Sequence, residues 1–208
     1  AETGSSIAVL PFVNMSSDPE QEYFSDGLSE ELLNLLAGIP ELRVAARTSA
    51  FAFKGKNLEI PVVAERLNVA HVLEGSVRKS GKEVRITAQL IRGSDGFHLW
   101  SETFDRTLED IFATQDDIAE RVVNSLKLTI LGNTPRVQSV NPDAYALFLQ
   151  GRYFNDLRDQ QHWERAVVAF KQALEIEPDY AEAWAGLSIA YSQQASWGFI
   201  DRDEGITL

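Results

Sequence analysis

The 208-residue sequence contains no cysteine, which excludes disulfide staples, zinc–thiolate centres and thiol nucleophiles. It is also short of positive charge, with 19 Lys and Arg against 31 Asp and Glu and a net charge of −12. The deficit is shared, −7 up to Leu131 and −5 beyond it. Neither half therefore has the bulk positive charge that displaces counterions from a polyanion, and no nucleic-acid partner is expected. Basic clusters at Arg43, Arg47, Lys54 and Lys56 and at Arg78, Lys79, Lys82 and Arg85 read as solvated faces. Long apolar runs are missing as well. A stretch such as Ile7 to Val13 falls far short of the ~20 residues that cross a bilayer, so membrane attachment is expected only through a segment outside this chain. Histidine is scarce: His71, His98 and His162 show no i, i+4 pair and no adjacent carboxylate cluster, which speaks against a metal site.

Catalytic signatures are equally thin. Gly75 to Lys82 superficially resembles a phosphate-binding loop, but counted from Gly75 its second glycine would fall on Ser80, and the residue after Lys82 is Glu83 rather than Ser or Thr. No nucleophile-elbow spacing occurs. The expectation is a chain without catalytic, cofactor-binding or metal-binding residues.

What the sequence does have is 44% apolar residues, enough for a packed core. Ile7 to Val13 is β-branched and short, closed by Pro11 and Asn14, and reads as the central strand of a sheet buried on both faces. Asp18, Pro19 and Glu20 supply a cap, a first-turn proline and an acid at the positive helix end. Phe24, Leu28, Leu32, Leu35, Leu36 and Ile39 then form one helical stripe ending at Gly38 and Pro40. Asp26 and Gly27 interrupt its first turns, which suggests a short helix before a longer one. This pair is the best candidate for a special role in the first domain, with a cap or helix-breaking turn as the plainer reading.

Leu42 to Ala46 predicts a second strand, followed by a polar loop punctuated by Phe51 and Phe53. Pro61 to Leu67 predicts a short helix ended by Asn68. A two-residue turn at Ser80 and Gly81 would set Val77 opposite Val84, Gly75 opposite Ile86 and Leu73 opposite Ala88 on one face. Arg78 with Glu83 and Glu74 with Thr87 would then fall on the other face. Gly93 to Gly96 turns into a third strand, Phe97 to Phe104, and Leu108, Ile111, Ile118, Val122 and Ile130 mark an amphipathic helix. After Gly132 to Pro135 no strand pattern remains, and three helices follow at Asp143–Leu157, Trp163–Ile176 and Ala181–Ala195.

The organisation predicted is a linker over 1–5, an α/β domain over 6–131 with a mixed sheet of about five strands, a linker over 132–142 and an all-α repeat segment over 143–208. Ala166, Phe170, Ala173 and Pro178 have the spacing of the second helix of a tetratricopeptide repeat. Ala181, Trp184, Leu187, Ala190 and Tyr191 resemble the first helix of the next. Gly151 and Phe154 take the small and large positions of the first repeat, while Ser188 replaces the usual glycine of the second.

The runs Ser6-Ile7-Ala8-Val9-Leu10-Pro11-Phe12, Tyr23 to Glu30, Val72 to Arg78, Arg85 to Ile91 and His98-Leu99-Trp100 together resemble the TolB-N-terminal-like domain. That resemblance implies an accessory region placed after a class III adenylate or guanylate cyclase domain, or after a winged-helix DNA-binding domain, with tetratricopeptide repeats following. It implies a periplasmic or extracytoplasmic position in a membrane protein, with a cytoplasmic one as the alternative, and a protein or peptide as partner, leaving a homodimer open. In such arrays the first helices of successive repeats line a groove. By resemblance Tyr145, Phe148, Arg152 and Asn155 would line it from one repeat, and Glu182, Ala185, Ile189 and Ser192 from the next. Packing between repeats is the competing reading for Phe148 and Ile189. Trp100 and Phe104 are a second candidate surface, and Trp197, Phe199 and Ile200 are expected to expose apolar area. A stand-alone scaffold and a hydrolase or nucleotide-binding enzyme are the remaining alternatives. The enzyme reading would require convergent polar groups in a pocket.

Overall fold

A computed structural model describes residues 5–126 and 140–199. The chain divides into two compact units, Ala1–Gln138 and Ser139–Leu208.

The first unit is built on a six-stranded mixed sheet, with β1 (Ser6–Val9), β2 (Val13–Asn14), β3 (Arg43–Val44), β4 (His71–Ser80), β5 (Glu83–Arg92) and β6 (His98–Thr107). The order is β3-β1-β4-β5-β6, with β2 on β4 beyond the end of β1. β1 runs parallel to both neighbours, whereas β4, β5 and β6 form an antiparallel meander. The middle of the sheet is thus β4 rather than β1, although Ile7, Ala8 and Val9 are fully buried, as a strand covered on both faces requires. β1 and β2 are one line of chain interrupted at Leu10–Phe12. Val9 pairs with Leu73 but Val13 with Ser76, so the first line contributes one residue more than β4 across this interval, as in a bulge. Pro11 has no N–H for the ladder, and the Phe12 N–H leaves it to donate to Ser29 Oγ at 2.8 Å.

Asp18 caps a 3-10 turn at Pro19–Gln21, its side chain accepting from the Glu20 N–H. The helix α1 (Glu22–Ala37) follows without a break, so Asp26 and Gly27 neither interrupt nor cap it. Gly27 is buried, as are Phe24, Leu28, Leu32 and Leu36. α2 (Arg47–Phe51) arises where the sequence suggested only loop, and α3 (Ile60–Leu67) ends on Asn68 at φ 51°, in the left-handed region that asparagine tolerates. α4 (Ile111–Ser125) packs on β6 and on α1. The predicted end of that helix at Ile130 and the Gly132–Pro135 breaker lie outside the described residues.

The hairpin between β4 and β5 turns one residue later than expected. Its central pair is Gly81–Lys82, with Gly81 at φ 59° and Ser80 paired to Glu83 at the end of the strand. A turn centred on Ser80 and Gly81 would have put a serine where the primed hairpin turns need positive φ. The correction moves the register by two residues, so each face keeps its side chains while every partner changes. Val77 faces Ile86, Gly75 faces Ala88, Leu73 faces Leu90 and Glu74 faces Gln89. Arg78 now stands opposite Arg85. The like charges are accommodated because Arg85 binds Asp105 and the Arg78 Nε donates to Met15 O at 3.2 Å.

One face of the meander is apolar, with Leu73, Val77, Ile86, Ala88, Leu90 and Phe104 all buried. Trp100 and Phe104 share this covered face, and the Trp100 indole N–H donates to Glu102. Phe104 is therefore a packing residue, while Trp100 stays partly exposed. The opposite face carries Glu74, Ser76, Thr87, Gln89, Ser101 and Thr103 and is open to solvent away from α3.

The second unit contains α5 (Pro142–Asp156), α6 (Gln160–Ile176) and α7 (Ala181–Ser196). Asn141 caps α5 by accepting from Asp143 and Ala144, and Asp159 caps α6 by accepting from His162. Phe170 on α6 holds the three helices together. A Cβ on Gly151 of α5 or on Gly186 of α7 would come within 2.6 Å of its ring. Two glycines are thus what lets both helices close on one aromatic side chain.

Candidate functional site

The face formed by α5 and α7 differs from the expected groove. Tyr145 and Phe148 are buried, and the Phe148 ring lies 6.2 Å from Phe170 and 5.0 Å from Tyr180, inside the hydrophobic core of the repeat. Arg152 is half-buried with its guanidinium 5.4 Å from the Phe148 ring, and burial lowers its pKa from the ordinary value. Asn155 has a buried Oδ1 without a hydrogen-bond partner among the described residues. On α7, Glu182, Ala185, Ser192 and Ile189 are exposed, Ile189 by 51%. The face that remains is an apolar-centred strip of α7 beside two polar side chains of α5. Trp184, 45% exposed, is fixed by its indole N–H donating to Pro178 O at 2.8 Å. Trp197 and Phe199 are exposed, as expected, and lean on Trp163, while Ile200 lies outside the described residues.

The α/β unit holds a second feature that sequence reasoning missed. A cleft of about 440 Å³ opens over the polar face of β4 and β5. Its floor is the four-residue patch made by Glu74 opposite Gln89 and Ser76 opposite Thr87. One wall is the bulge, Leu10, Pro11 and Val13; the other is the loop Phe53–Asn57 after α2. That loop is tied to α1, since Lys54 pairs with Asp26 and, at 2.8 Å, with Glu22. Asp26 accordingly anchors the cleft wall. Burial raises its pKa, the Lys54 ammonium opposes the rise, and its Oδ1 is buried without a partner among the described residues. Arg47 likewise pairs with Glu30 of α1 and stacks over Phe51 at 4.6 Å.

No pattern in the sequence marks this cleft. Glu74 read as an ordinary cross-strand residue, and its position over the loop depends on α2, which lacks an apolar stripe long enough to predict. Of the histidines, His71 Nδ1 contacts Ser6 O and His162 Nδ1 lies 2.6 Å from its own helix cap Asp159. Both serve local structure.

The chain thus combines a mixed-sheet domain holding an open polar cleft with a three-helix segment in which a face of α7 is exposed. Residues 3–121 match the family model described as HilA/YgeH-like transcriptional regulator, second domain, and residues 155–194 match that of the TPR repeat. The chain belongs to the HilA/YgeH-like second-domain family. It is 44% identical, along 97% of its length, to a Rhizobium meliloti (strain 1021) protein named "Putative adenylate cyclase 3", and spans only 34% of that protein. Among solved structures, TolB from Acinetobacter baumannii is similar over 59% of this chain and 28% of its own, at 15% identity and a TM-score of 0.43. Lipoprotein GNA1162 from Neisseria meningitidis is similar over 60% of this chain and 98% of its own, at 18% identity and a TM-score of 0.43.

Proposed function

We propose that this chain is the non-catalytic regulatory and protein-interaction region of a bacterial signalling protein, the accessory part of a class III adenylate cyclase. The observation that carries the reading is the identity with the Rhizobium protein: nearly all of this chain matches about a third of a longer polypeptide bearing a cyclase name. In this account the cyclase chemistry belongs to the rest of the parent protein. The α/β unit and the repeat helices receive a partner, a protein segment at the exposed face of α7, and their state biases the attached domain. The chain sits on the extracytoplasmic side of the membrane in this reading. The test is cyclic AMP formation by three purified proteins: the full-length parent, the parent lacking residues 6–199, and the chain alone. The reading expects activity in the first, altered or unregulated activity in the second and none in the third.

A second reading is favoured by the family model, whose description is of transcriptional regulators. The same fold would then be the partner-binding part of a winged-helix regulator, and a helix-turn-helix in place of a cyclase domain in the parent protein would decide for it.

A further inference from the structure

We propose that the cleft on the open sheet face of the α/β unit is a binding site for a small organic cation, a ligand with a primary ammonium or guanidinium group that docks on Glu74. The floor carries one charge, and it is not neutralised from within: the Glu74 carboxylate makes no hydrogen bond or ion pair among the described residues. Two of the basic groups near it are held in ion pairs of their own. Lys54 is bound by Asp26 and Glu22 and Arg85 by Asp105, whereas the Lys56 ammonium on the loop wall keeps its charge, lies 5.7 Å from the Phe53 ring and makes no ion pair with Glu74. An anionic ligand would meet the Glu74 charge directly. A cationic one would replace the solvation that the half-buried acid has lost. Burial raises the Glu74 pKa and the nearby His98 opposes the rise, as for a desolvated carboxylate without a direct ion pair.

The remaining lining fits the rest of such a molecule. Ser76, Thr87 and Gln89 offer hydroxyl and amide groups around the charge, and Leu10, Pro11 and Val13 offer an apolar wall for a methylene chain. A volume of about 440 Å³ suits a metabolite-sized ligand rather than a folded partner. The protein's net charge of −12 adds a long-range attraction for cations. The wall is tied in place, because Lys54 holds the Phe53–Asn57 loop against α1. The proposal does not depend on which output domain the parent protein carries.

The experiment is calorimetric titration of the chain with agmatine and putrescine, with succinate at equal ionic strength as the anionic control, alongside amide chemical-shift mapping. Agmatine or putrescine is expected to bind with shifts centred on Ser76, Thr87 and Gln89. Glu74→Gln is expected to weaken binding by ~10-fold or more, the scale of a lost charge-assisted hydrogen bond. The same variant is expected to melt no lower than the parent, since it removes a desolvated carboxylate, and this separates lost binding from lost folding. The proposal is overturned if neither amine binds better than sodium chloride, if succinate binds as well, or if Glu74→Gln binds the amines unchanged.

Discussion

Gly75 occupies the point where the chain has least room. An added Cβ would lie 2.1 Å from the Thr87 carbonyl oxygen and 2.6 Å from the Phe12 ring, which the bulge has turned into the core. Because backbone cannot yield as a flexible side chain can, Gly75→Ala is expected to cost about 1–3 kcal/mol or more in urea denaturation; a neutral result would mean that the bulge repacks. In the repeat unit, Phe148 and Ile189 separate two roles that the sequence left merged. Phe148 is 5% exposed among Phe170 and Tyr180, so Phe148→Ala should lose about 3–5 kcal/mol of stability and would give a false positive in any binding assay. Ile189→Asp on the exposed face of α7 should leave the melting temperature unchanged while abolishing capture of the partner by the full-length protein. Capture at parental strength would remove that face from the account.

At the scale of elements, the tie between α1 and the loop after α2 controls the cleft wall. Lys54→Met leaves Asp26, whose side chain is 14% exposed, with its burial and without its ion-pair partner, the Arg47 charge alone still opposing. The folded-state pKa of Asp26, already above its ordinary value, then rises further. The unfolded chain ionises first as pH increases, so the variant loses stability as pH climbs from the unfolded to the folded pKa and stays low above it. A deficit of about 1–2 kcal/mol is expected at pH 7, discounted for partial exposure, and it should shrink as the pH is lowered through the folded pKa. Denaturant titrations at several pH values check this; a deficit that grows on acidification would reverse the assignment.

The same scale shows why some elements were legible and others not. α1, α4 and the repeat helices announce themselves because their apolar stripes are long, and the strands of the meander because burial on one face imposes alternation. The faces of β4 and β5 followed from that alternation, but their partners did not. A shift of two residues preserves every face, and only the φ preference of Gly81 over Ser80 decides between the two registers. α2 has five residues and one buried side chain, too little periodicity to read. Gly186, two positions before the Ser188 that replaces the usual glycine, supplies the close approach to Phe170, and no spacing rule pointed to it.

For the whole molecule, composition and motif spacing indicated a scaffold of two parts, an α/β sheet domain and a helical repeat, and the structure has both. The binding features were less legible because they depend on tertiary placement. Tyr145 and Phe148 share a helix with Arg152 and Asn155, and only packing against α6 and Tyr180 reveals which of them turn inward. The cleft needs the bulge, the β4–β5 register and the Lys54 tie to exist at once. The central claim is that these residues recognise and regulate while the reaction is carried by another part of the parent protein. The most direct measurement is cyclic AMP formation from ATP by the isolated chain beside the full-length protein under identical conditions. Product from the full-length protein and none from the chain is the predicted result; turnover by the chain itself, lost on substituting one of its own polar residues, would contradict it.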